Sequence, residues 1–148
     1  MATLRGGDRL GPALRELASK VDRPSTLRVG FLEGRTYPNR DHTPVAFVAA
    51  MNEFGNGRAP PRPFFRRMIR LGERHWGADL ARLLKVTKYD VPRTLGLLGE
   101  QLKGELVQSI TDQAYAPLAQ STIDRKGFAT TLLETAVMKN SVDAEVKS

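Results

Sequence analysis

Residues 43–65 read TPVAFVAAMNEFGNGRAPPRPFF, and the fold depends on how this run divides into elements. Thr43 is a helix-capping type, and Pro44 suits a first helical turn, where a missing N–H costs nothing. Val45, Val48, Ala49 and Met51 or Asn52 recur at the three-and-four spacing of one helical face. Gly55 stands where a helix takes a left-handed stop residue. Pro60, Pro61 and Pro63 then hold the backbone extended, because each ring fixes its own φ and restricts the residue before it. Phe64 and Phe65 open a second helix, flanked by Arg62, Arg66 and Arg67. The unit is a short buried helix, a glycine stop and a stiff, cationic, aromatic elbow, better suited to gripping another surface than to catalysis.

Upstream, residues 1–9 are Gly-rich and charged and are expected to be a flexible N-terminus, with 10–148 forming a single domain. Leu10, Leu14, Leu17 and Val21 repeat as one side of a helix that Pro24 and Ser25 end. Thr26 to Glu33 alternates, with Leu27, Val29 and Phe31 on one side of a strand, and Gly30 within it points to a bulge or the close approach of another backbone. Residues 34–43 read as a loop, a mobile or partner-ordered tip.

Downstream, Gly72 and Gly77 interrupt residues 62–85, which read as one bent helix or two pieces with Trp76 on the buried side. Asp90 as a cap, with Pro92 after it, opens the clearest helix, whose buried side is Leu95, Leu98, Leu102, Leu106 and Ile110. Gly96, Gly99 and Gly104 within it call for a closely packed neighbour. Residues 114–127 form a connector with a short helical turn after Pro117, Leu132 and Leu133 begin another apolar segment, and VDAEVK (142–147) alternates as a terminal strand. The expected fold is α+β: a small, mostly antiparallel sheet packed with about four helices in one domain. Two strands alone are marginal, so a third is expected from residues 34–42 or from the arm after Gly55.

Composition narrows the chemistry. The chain of 148 residues has no Cys, so disulfides, thiolate metal sites and cysteine nucleophiles are excluded. It has no apolar run of membrane-spanning length and no signal-peptide h-region. Its two histidines, His42 and His75, carry no metal-ligand or triad spacing, and the prolines of FGNGRAP remove the N–H groups a phosphate cradle needs. Glu53, Glu73, Glu100 and Glu105 are scattered; Glu53 reads as a solvated or salt-bridged helix end. No enzymatic role, cofactor or metal is expected. The net charge of +7 concentrates in residues 58–74, where Arg58, Arg62, Arg66, Arg67, Arg70 and Arg74 face one acid, Glu73. That run is a solvated face or a contact for DNA or an acidic partner. Of Phe64 and Phe65 at least one is a core anchor; two adjacent helical residues point about 100° apart, which leaves the other for a partner.

The string from Ala49 to Ile69, with Glu53-Phe54-Gly55 followed by Pro60 or Pro61, Arg62, Pro63 and Phe64, resembles the signature of phage tail-completion and virion-morphogenesis proteins of long-tailed and Mu-like phages. Pro117, Leu118, Thr122 and Lys126 resemble that family's connector, and Leu132, Leu133, Thr135 and Ser141 its closing segment, with Ala136 where glycine is common. The resemblance implies a structural virion protein, made in the host cytoplasm. It would oligomerise as a sixfold or twelvefold ring at the neck that joins head to tail, beside neighbouring neck and tail proteins. Subunit contacts are then expected at Tyr37, Glu53, Phe54, Gly55, Arg58, Pro60, Pro61, Arg62, Pro63, Phe64 and Phe65, and contacts to channel DNA or an acidic partner at Arg66, Arg67, Arg70 and Arg74. The alternative is a basic nucleic-acid-binding protein acting in phage assembly.

Overall fold

The leucine repeat of residues 95–110 becomes the axis on which the other elements pack. The computed structural model of the protein describes residues 7–38, 41–57, 60–114 and 128–148. Its elements run α1 (Gly7–Val21), β1 (Thr26–Phe31), α2 (Val45–Phe54), α3 (Phe64–Gly72), α4 (Trp76–Val86), α5 (Val91–Ala114), α6 (Phe128–Asn140) and β2 (Val142–Lys147). The Asp90 carboxylate accepts the Arg93 N–H at 3.1 Å and so caps α5. Leu98, Leu106 and Ile110 are buried along it, and α5 packs against both strands and against α3, α4 and α6.

The fold is α+β, with a two-stranded antiparallel sheet in the register Thr26↔Lys147 through Phe31↔Val142. No third strand occurs among the described residues: of the two places where one was expected, the loop makes the bridge Thr36↔Pro44 and the arm after Gly55 has a bridge residue at Asn56. The sheet lies instead on α5, and packing against a helix supplies what a third strand otherwise would. Gly99 permits this contact: a Cβ there would lie 2.9 Å from Leu27 Cδ1 and 3.1 Å from Ala144 Cβ. The closely packed neighbour expected along this side is therefore the sheet at Gly99, whereas at Gly96 and Gly104 nothing among the described residues lies within 4 Å of the Cβ position.

Three other expectations shift, and the choice between one bent helix and two pieces resolves to two. Pairing runs unbroken through Gly30↔Asp143, and what approaches Gly30 is a side chain, with Phe65 Cζ 3.4 Å from its Cβ position, not a bulge or another backbone. Residues 62–85 hold two helices, α3 and α4, broken at Glu73–His75. The cap position of α2 is Pro44, one residue later than a Thr43 cap implies. Finally α1 starts at Gly7, so the end of the segment expected to be flexible is helical; residues 1–6 lie outside the described residues. The apolar stripe of α1 is present but uncovered: Leu10, Leu14 and Val21 are 58%, 55% and 47% exposed, and α1 makes no extended packing contact with another described element.

Candidate functional site

The elbow after α2 is assembled by bonds inside the chain. Gly55 turns it with φ 72 and ψ 177, a positive φ that suits glycine, though further extended than a left-handed helical stop. The arm then returns beside the end of α2, where the Arg62 N–H donates to the Asn52 carbonyl at 2.6 Å. Glu53 is only 4% exposed. One of its carboxylate oxygens accepts the Phe65 N–H at 2.9 Å, and the other accepts the Arg66 N–H at 3.2 Å and Arg66 Nε at 2.8 Å. Glu53 therefore caps α3 from another helix, placing negative charge at the positive end of the α3 dipole. The Arg66 guanidinium also donates to the Glu53 carbonyl at 2.6 Å and lies over the Phe54 ring, 5.5 Å from its centroid.

This wiring divides the expected contact residues. Tyr37, Glu53 and Phe64 are turned into the interior and cannot face a partner with their side chains. Tyr37 is 3% exposed and its hydroxyl donates to the Glu134 carbonyl at 3.1 Å, so the 34–43 loop is anchored at Tyr37 and is not a free tip there. Phe64 is 2% exposed, and Ser109 Oγ donates to its carbonyl at 2.8 Å. Phe65 is partly buried as well: both rings meet Phe31 edge-on, at 6.2 Å and 6.0 Å between centroids. The adjacent phenylalanines thus share one site at Phe31, with Phe65 lying over Gly30 at 3.4 Å from its Cβ position. The outward aromatic is Phe54, 71% exposed, with Pro60 and Pro61 also exposed and Arg62 and Pro63 partly so. Burial lowers the pKa of Arg62. Arg58 lies outside the described residues, as do Pro117, Leu118, Thr122 and Lys126 of the connector. Ala136 is inside α6, so no turn forms there, and Ser141 is buried with its hydroxyl donating to the Val137 carbonyl at 2.7 Å.

Of the α3 arginines, Arg66 is held by Glu53, and Arg67 reaches Asp112 on α5 at 2.6 Å. Hydrogen bonds from Gln108 first and then Arg67 lower the Asp112 pKa. Arg70 and Arg74 are exposed and make no ion pair among the described residues.

A second polar group, which the sequence reading missed, ties α4 to α5. Trp76 Nε1 donates to Glu105 at 2.8 Å, and Gln101 donates to Glu105 at 2.9 Å and to Asp79 at 2.8 Å. His75 Nδ1 lies 2.8 Å from the same Asp79 oxygen. The available signals were His75/Asp79 and Gln101/Glu105, each an i,i+4 pair, but nothing local joins one pair to the other. Hydrogen bonds from Gln101 and then His75 hold the Asp79 carboxyl down to about 2 from its ordinary 3.8. A pKa lowered on folding stabilises the native state above the unfolded value, and that gain is lost as pH falls through the folded value. We therefore expect wild-type protein to exceed Asp79→Asn in denaturation midpoint at pH 5, and the difference to shrink steadily between about pH 4 and pH 2. A difference that holds constant over that window would rule out this linkage.

Among the described residues no group of three or more His, Cys, Asp or Glu side chains could hold a metal ion, and no helix is long and apolar enough to cross a membrane. The chain matches no protein-family model, no curated protein and no solved structure.

Proposed function

We propose that this chain is a structural joining protein of a tailed phage particle, one subunit of a homo-oligomeric ring at the neck between head and tail. The resemblance of residues 49–69 motivates the reading, and the observation that carries it is the outward face of the elbow. There Phe54 is 71% exposed, with the Arg66 guanidinium stacked on its ring. An exposed aromatic–arginine pair on a stiff support has the composition of an interface hot spot and loses little entropy on docking. The motif residues that face inward, Glu53, Phe64 and Phe65, serve that support. A ring also needs two different complementary surfaces on each subunit. The uncovered stripe of α1 and the elbow are two such surfaces.

Native mass measurement of the purified chain at micromolar concentration is expected to give a sixfold or twelvefold assembly. Phe54→Ala should weaken assembly at least about 30-fold, the equivalent of a 2 kcal/mol hot spot, with an unchanged circular dichroism spectrum. A wild-type chain that stays monomeric at every concentration, alone and with isolated heads and tails, would sink the proposal. Arg70 and Arg74, exposed and without an ion pair among the described residues, favour a second role in contacting double-stranded DNA passing through the ring. In that case log affinity should fall by about 0.9 per phosphate neutralised for each tenfold rise in salt, and Arg70→Ala with Arg74→Ala should flatten the slope.

A further inference from the structure

We propose that α1 is an assembly arm, whose apolar stripe docks on the outer face of α2 of the next copy of this chain; the inference rests on the ring reading and names its interface. The donor side is the stripe Leu10, Leu14 and Val21, all exposed, with Leu17 partly buried among them, on a helix that makes no extended packing contact with another described element. The acceptor side is the outward row Phe47, Ala50 and Phe54, where Phe47 is 59% and Phe54 71% exposed. The only charged residue of α2, Glu53, points inward, so the row itself carries no charged side chain, and the one charge at its edge is the Arg66 guanidinium over the Phe54 ring.

Dimensions agree. The eleven helical steps from Leu10 to Val21 span about 16 Å and the seven from Phe47 to Phe54 about 10 Å, so one helix can lie across the other with i,i+4 ridges in the facing grooves. At the stated exposures each row offers roughly 300 Å² of apolar surface, a patch of the size that marks contact sites. Phe54 belongs both to this row and to the elbow, so an α1 docked on α2 continues across Phe54 towards Pro60 and Pro61. That continuity brings the contact towards the ~800 Å² per partner of a stable interface. Because the two rows differ, every copy gives one α1 and receives another; the ring reading selects the head-to-tail arrangement of these contacts over a reciprocal exchange between two copies.

The chain has no Cys, so introduced thiols report their own neighbours without background. Full-length Leu14→Cys, carrying a size tag, is mixed in turn with untagged Phe47→Cys, Ala50→Cys and Phe54→Cys, assembled and oxidised. We expect a tagged–untagged cross-link with at least one acceptor and none within Leu14→Cys alone. Leu14→Glu should lower the assembled fraction at least tenfold while leaving the far-UV spectrum unchanged. Rings of correct mass in which Leu14→Cys joins none of the three acceptors would overturn this docking and leave the ring standing. In chains carrying Leu14→Cys together with Phe47→Cys or Phe54→Cys, a cross-link confined to single chains would overturn it too, by showing that α1 covers its own α2. Failure of the wild-type chain to assemble would overturn the ring reading and this inference with it.

Discussion

Glu53→Ala is expected to destabilise the chain by about 3 kcal/mol, a large share of the 5–15 kcal/mol that holds a domain of this size. The carboxylate is 4% exposed and accepts two backbone N–H groups at the start of α3, so its removal strands both donors where water replaces it poorly. Losing a cap costs about 0.5–2 kcal/mol, and each buried donor left unpaired about 1–3 kcal/mol, terms that overlap and do not add in full. The ion pair contributes less. The Arg66 side chain is 55% exposed, which places the pair near the surface value of about 1 kcal/mol or below. The order of effects therefore separates the two roles: Arg66→Ala about 1 kcal/mol, Glu53→Gln intermediate because its amide oxygen keeps one acceptor, and Glu53→Ala largest. Urea unfolding followed by circular dichroism measures all three. Equal losses for Arg66→Ala and Glu53→Ala would mean that the salt bridge, not the cap, joins the two helices.

That cap also marks where the sequence stopped being legible. A local capping box places its acid three residues into the helix it serves, whereas Glu53 precedes Phe65 by twelve residues and belongs to another helix. No pattern of nearby spacing announces it. Elements whose cause is local were readable: the alternation of Leu27, Val29 and Phe31, the VDAEVK strand, the Asp90 cap and the turn at Gly55. Periodicity likewise marked the stripe of α1, but it reports only that one side is apolar and not what covers that side. The same limit fell on the elbow. The rule that adjacent helical residues diverge assigned one of Phe64 and Phe65 to a partner. Both rings instead pack on Phe31, across the fold, and the exposed aromatic of the motif is Phe54. Which motif residue faces outward was a tertiary fact, even though the motif itself was visible.

Gly72→Ala should be nearly as damaging as loss of the cap, although alanine is the better helix former by about 1 kcal/mol. Gly72 is buried at the end of α3, and a Cβ built on it falls inside the indole of Trp76, the first residue of α4. The ring cannot swing clear without breaking its 2.8 Å hydrogen bond to Glu105, and it packs against the core, so either the indole or the α3–α4 corner must move. Overpacking of this kind costs about 1–3 kcal/mol beyond the propensity gain. Gly104→Ala makes the identical chemical change on α5 where nothing among the described residues lies within 4 Å, and is expected to stabilise the monomer by about 0.5–1 kcal/mol. Opposite signs from the same substitution would show that space, not backbone preference, decides at Gly72. A double-mutant cycle isolates the contact: in a Trp76→Ala background the penalty of Gly72→Ala should disappear and the propensity gain emerge, a coupling of more than about 1 kcal/mol. If Gly72→Ala instead costs the same with and without the indole, the glycine is required by the backbone at the α3–α4 break, and the ring is a bystander.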